Sequence, residues 1–162
     1  MHSEGLVSSL SRKQLVEWRT FLETAYALID ILDAELQAER GLALGWYDAL
    51  VHLEEAAEDG LRMNELASHI LFSKSGLTRV IDRMEEAGLV RRERPADDRR
   101  VVKVVITPVG LEALQAARVV HRRGIQEHFV QHIDPLELTA LAGALESVRN
   151  HVRPLRPGRI SK

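Results

Sequence analysis

The chain has 162 residues, 45% of them hydrophobic, and carries 22 Lys and Arg against 24 Asp and Glu for a formal net charge of −2. That length suits one domain, or one core with dimerisation arms, and the charge argues against a protein that coats nucleic acid indiscriminately while allowing a focused basic patch. Cysteine is absent, which excludes disulfides and any thiol-based redox switch.

Met1 to Leu10 reads as a short, loose polar lead. From Ser11 the chain turns helical: Leu15, Trp18, Leu22, Ala25, Ile29, Leu32 and Leu36 recur at steps of three and four. Ser11 with Gln14 forms a capping box, and Gly41 is the stop. So narrow an apolar stripe calls for another helix, from this chain or a partner. A second helix is expected from Gly45 to Glu58, with Leu50, Val51 and Leu53 inside it. Asp59-Gly60 then turns the chain into a short strand over Leu61 to Met63.

A third helix, with Asn64 as its cap, carries Leu66, Ala67, Ile70 and Leu71 at helical spacing. Ser73 is the expected cap of a fourth, which buries Leu77, Val80, Ile81 and Met84 and stops at Gly88. Its opposite face offers Lys74, Ser75, Gly76, Thr78, Arg79 and Arg83. These types suit a DNA groove: a helix start presents N–H groups to phosphate, Ser and Thr reach phosphate or base edge, and Arg grips guanine bidentately. Gly76 keeps the leading turn slim.

Leu89 and Val90 begin one strand, and Val101 to Ile106 form the return strand, broken only by Lys103. Pro95 to Arg100 makes a polar turn between them, and Arg91, Arg92, Arg94, Arg99, Arg100 and Lys103 outnumber the nearby acids. The short strand at Leu61 is expected to join this hairpin as a third member. Thr107-Pro108 then opens a fifth helix, with Leu111, Leu114, Ile125 and Phe129, running to about Ile133. Asp134-Pro135-Leu136-Glu137 starts a sixth as a capping box, followed by Leu138, Leu141, Leu145, Val148 and Val152. Arg153 to Lys162 reads as a flexible basic tail.

Helix, turn, helix and basic hairpin in that order make a winged helix-turn-helix. The fold class is therefore mainly α (α+β): a winged helix-turn-helix with a small β-hairpin wing and a helical dimerisation region from the N- and C-terminal helices. The divisions are residues 1–44 as an N-terminal dimerisation arm, 45–107 as the DNA-binding domain, 108–152 as C-terminal dimerisation helices, and 153–162 as the tail.

The run from Ser73 through Leu77-Thr-Arg-Val-Ile-Asp-Arg-Met84 to Gly88-Leu-Val90, followed by Asp98-Arg-Arg100 and the strand exit at Thr107, resembles the multiple antibiotic resistance regulator (MarR) family. The resemblance implies that Arg100 enters the minor groove, steadied by Asp98, with Arg99 beside it. It also implies a homodimer on a palindromic operator in double-stranded DNA, usually repressing adjacent genes until a small-molecule effector releases it. The family's ligands, often aromatic acids or phenols, sit between the dimer helices and the reader. Tyr26, Trp46, Tyr47 and His52 are the polar aromatics that the first two helices offer there, although such residues also serve an ordinary core.

His121, His128 and His132 fall on one helical line, and His128 and His132 are spaced i,i+4, which raises a metal-responsive alternative. A second alternative is a winged-helix module that binds protein, for which the acidic overall charge speaks. No catalytic residues or cofactor are expected, because no phosphate-cradling glycine loop and no Gly-x-Ser-x-Gly is present. No secretory signal is visible and no apolar run nears about 18 residues, which points to the cytoplasm.

Overall fold

The computed structural model describes residues 9–70, 76–95 and 100–152. Helix α1 spans Arg12–Arg40 and begins with the expected reciprocal cap: Gln14 N donates to Ser11 Oγ (3.2 Å), and Ser11 N donates to Gln14 Oε1 (2.9 Å). Gly41 closes it. Helix α2 spans Leu44–Glu55. Its N-cap, Ala43, has no side chain able to cap, and Asp33 of α1 does the work instead, Oδ1 accepting from Leu44 N at 2.7 Å.

Two boundaries near α2 differ from expectation. The helix ends at Glu55 rather than Glu58, and the chain tightens into a 3₁₀ turn over Ala57–Asp59. Gly60 then lies under the wing, where a Cβ would stand 2.6 Å from the Val104 carbonyl oxygen, so the approach of two backbones sets the end of α2. Strand β1 is only Leu61–Arg62, and Met63 already belongs to helix α3, Met63–His69. Asn64, the expected cap, sits inside the first turn of α3; Arg62 holds the N-cap position, and its N–H donates to Glu65 Oε2 at 2.8 Å.

Helix α4 spans Leu77–Glu86 and ends in a Schellman turn at Gly88 (φ 73°), with Gly88 N bonded to Glu85 O and Leu89 N to Met84 O, both at 2.9 Å. Strands β2 (Val90–Glu93) and β3 (Lys103–Ile106) pair antiparallel, Val90 opposite Ile106 and Glu93 opposite Lys103. The sheet order is β1-β3-β2, so the short first strand is indeed the third member and the return strand is central. Val101 and Val102, expected in β3, precede it, because β2 stops at Glu93 and Pro95 supplies no donor to continue the ladder.

Thr107 caps helix α5, Pro108–His128, its Oγ1 accepting from Gly110 N at 3.0 Å. The helix stops five residues short of Ile133: Phe129 leaves helical geometry and Val130–His132 forms a 3₁₀ turn. Helix α6 spans Pro135–Val152, with Asp134 N donating to Glu137 Oε2 at 3.3 Å as the box requires.

A single buried cluster joins the end of α1 (Leu36), α2 (Leu50, Leu53), α3 (Leu66), α4 (Ile81, Met84), the wing (Val90, Val104) and α5 (Leu114, Val120). α1 packs chiefly along α5. Elsewhere the terminal helices lack cover: Trp18 is 56% exposed, Ile29 40% and Val148 56%, and α6 has no buried residue. The stripe read along α1 is thus buried only at Leu36, its last member. Among the described residues no helix is long and apolar enough to cross a membrane.

Candidate nucleic-acid interface

Helix α4 presents two opposed faces. Leu77, Ile81 and Met84 recur at steps of four and three and are buried, anchoring the helix on α3 and the sheet. Gly76, Thr78, Arg79 and Arg83 lie on the exposed side. Gly76, and not the expected Ser73, occupies the N-cap position, with φ 101°, a left-handed geometry that L side chains resist, and so it admits the turn while leaving the helix's leading end slim. Ser73, Lys74 and Ser75, expected on this same face, and Leu71, expected at the end of α3, lie outside the described residues.

The wing stands beside α4 and is bolted to it. Arg92 on β2 donates to Asp82 Oδ1 of α4 at 2.5 Å and, through its other terminal nitrogen, to Glu85 Oε2, while its backbone N–H donates to Glu85 Oε1 at 2.7 Å. Partial burial works against the guanidinium charge, but the hydrogen bonds and fields of Asp82 and Glu85 outweigh it and hold the Arg92 pKa above the ordinary arginine value. Arg91 pairs with Glu93, Nε to Oε1 at 2.7 Å. Two of the basic residues counted in the wing therefore satisfy acids of the same surface. The sequence concealed this, since Asp82 and Glu85 read there only as acids of an amphipathic helix; their i,i+3 spacing was the available signal.

Other basic residues of the wing lie farther out. Arg94 and Arg100 are exposed at the two described edges of the wing loop. Asp98 and Arg99 fall outside the described residues, as do residues 153–162 of the basic tail. Arg92→Ala is expected to weaken DNA binding about 3- to 10-fold in an anisotropy titration, because the wing loses its register against α4 and two carboxylates lose their counter-charge. The melting temperature should fall only a few degrees, as about 1 kcal/mol is lost. Unchanged affinity would show that the wing needs no such tether.

The aromatic set is dispersed. Tyr26 on α1 is 64% exposed, whereas Tyr47 on α2 is buried, its ring centroid 4.4 Å from that of His121. Trp46 packs against the core, and His52 sits between Asp48 and Glu55, its Nδ1 3.2 Å from Glu55 Oε2. None of the four lines the cavity of about 560 Å³ between α1 and α6, which is built from Val16, Phe21, Leu28, Phe129, Leu141 and Leu145 among others. Nor do they line the cleft of about 620 Å³ bounded by Glu54, Arg91, Val105 and Leu111.

The three histidines have separate partners. His121 lies against Tyr47, where burial lowers its pKa despite the opposing field of Asp48. His128 Nε2 is 2.6 Å from Glu35 Oε1, and His132 Nε2 is 3.0 Å from the Glu127 carbonyl oxygen.

Comparison with known proteins agrees with this geometry. The MarR family model matches residues 40–101, from the end of α1 into the wing. The crystal structure of AbsC, a MarR family transcriptional regulator from Streptomyces coelicolor, superposes with a TM-score of 0.82 at 37% identity, covering 91% of this chain and 99% of AbsC. Sco3205, a MarR family regulator from the same organism in complex with DNA, gives a TM-score of 0.81 at 30% identity, covering 92% of this chain and 95% of that one. The transcriptional repressor IacR of Pseudomonas putida is 34% identical over 77 residues, 48% of this chain and 45% of IacR. The chain thus spans about half the length of the curated relatives it matches.

Proposed function

Because the chain belongs to the MarR family and is a DNA-binding transcriptional regulator, we propose that it acts as a homodimer on an inverted-repeat operator, repressing adjacent genes until a small effector releases it. The observation that carries the dimer is the pair of uncovered apolar faces. Leu15, Trp18 and Phe21 on α1 and Leu145, Val148 and Val152 on α6 stay exposed in one chain, on helices from the two ends of the sequence that meet around one cavity. Pairing with a second copy buries both stripes and holds two α4 helices at a set spacing.

Two-fold symmetry makes the operator an inverted repeat with half-sites about 10 base pairs apart, one helical turn. Repression is supported by the partial likeness to the repressor IacR. An effector lodged among the helices favours one separation of the two readers; where that separation misfits successive major grooves, affinity falls by the effector's differential binding to the two states.

The test is an anisotropy titration against DNA upstream of the protein's own gene, with footprinting and sedimentation on the same sample. Tight binding should fall about a thousand-fold between about 50 and 200 mM salt, with two protected half-sites and a dimeric mass. Weak binding, equal for any sequence, would favour a module that binds protein, and protection of one unrepeated half-site would rule out the symmetric operator.

A further inference from the structure

We propose that Glu35, Glu127 and His128, where α1 crosses α5, form a binding site for a divalent first-row transition-metal ion. Each side chain offers one ligand atom, two carboxylate oxygens and an imidazole nitrogen, and the three atoms lie within 4.8 Å of one another. An imidazole among oxygens suits zinc, nickel or iron rather than magnesium or calcium.

The second observation is an orphaned oxygen. Glu35 Oε1 meets His128 Nε2, but Glu35 Oε2 is buried with no hydrogen-bond partner among the described residues. An ordinary ion pair accounts for the first oxygen and leaves the second unexplained, whereas a cation supplies what it lacks.

The helix crossing is shaped for this approach. Gly124, one turn before His128, carries no Cβ, and one placed there would stand 2.6 Å from both Glu35 Oε2 and Leu32 Cδ2. Gly124, Glu127 and His128 follow i, i+3, i+4 spacing and so share the face of α5 that meets α1. Charge points the same way: Glu35, Glu39 and Glu127 gather about Arg123, which bonds to Glu39 and stands 3.9 Å from Glu127 Oε1. Three carboxylates against one guanidinium leave that group with surplus negative charge, which a dication offsets.

Ligand atoms around tetrahedral zinc sit about 3.4 Å apart, given bonds of about 2.0–2.2 Å. Glu127, whose side chain is 49% exposed, can close the remaining gap by changing rotamer. A fourth position stays open for water.

The probe is Zn²⁺ on the full chain after chelator treatment, read by equilibrium dialysis with metal analysis and by thermal melting, without DNA. The expected result is one ion per chain and a melting temperature raised by several degrees. Glu127→Gln and His128→Gln should each weaken binding at least about tenfold, while His151→Gln on α6 leaves it unchanged. Glu127 is exposed, so its variant should fold even where His128→Gln does not. Retention of no zinc by the parent, or equal retention by the parent and Glu127→Gln, overturns the site. Neither result bears on DNA binding, which is measured separately.

Discussion

Arg100→Ala is expected to weaken operator binding about 10- to 100-fold while leaving the protein folded and dimeric. The residue is exposed where the wing loop returns toward β3, outside the buried cluster, so its removal opens no cavity. By resemblance its guanidinium enters the minor groove, where losing one base-edge or phosphate contact costs about 1–3 kcal/mol. The salt dependence should become shallower by about one unit of log K against log salt, since one fewer counterion is displaced. Affinity equal to the parent's would sink the assignment. Arg92→Ala provides the contrast, because Arg92 spends its hydrogen bonds on Asp82 and Glu85 and acts through the position of the wing.

Gly110→Ala is expected to destabilise the fold by about 3 kcal/mol or more, a fall in melting temperature of roughly 6–12 °C. Gly110 lies in the first turn of α5 directly over the base of the wing. A Cβ there would collide with the Leu89 carbonyl oxygen and stand 2.9 Å from the Leu89 carbonyl carbon and 3.0 Å from Ile106 Cγ1. The obstacle is backbone, and that carbonyl is already held by Thr107 N at 3.0 Å, while Thr107 Oγ1 donates to Gly88 O at 2.6 Å. Relief therefore requires moving α5 off the end of α4, against a helix-propensity gain of only about 1 kcal/mol for Ala over Gly. The same joint sets where α5 sits against the reader, so DNA affinity should fall too. A thermal melt and a titration on one preparation check both. Parent-like stability would mean that α5 can slide freely over the wing.

The features legible in the sequence are those settled by residues three or four apart. The Ser11–Gln14 box, the Thr107–Pro108 start and the Gly88 stop involve side chains and N–H groups of a single turn, so local chemistry decides them. The apolar spacing of Leu77, Ile81 and Met84 was likewise enough to place α4 with Thr78, Arg79 and Arg83 on its outer face. The third strand was foreseeable because Gly60 marks a turn just before it.

What escaped sequence reading depends on partners distant in the chain. Helix α2 gives way to a 3₁₀ turn because Gly60 must pass beneath Val104, 44 positions later. Helix α5 ends at His128 while Phe129 lines the cavity with α1 and α6 instead of extending the stripe. Asp33 caps α2 across the α1–α2 corner. Arg92, counted in the sequence only toward the basic charge of the wing, is a tether to Asp82 and Glu85 of α4. Glu35 reaches His128 only because Gly124 lets two helices touch, and no periodicity in either helix announces that pairing. The sequence by itself determined the order of elements, their caps and the winged helix-turn-helix, since backbone geometry and apolar period act over one or two turns. Only the tertiary structure decided which charges are spent inside the molecule, which helix faces stay uncovered and which side chains of α1 and α5 gather at their crossing, because each depends on side chains that meet only after the helices have packed.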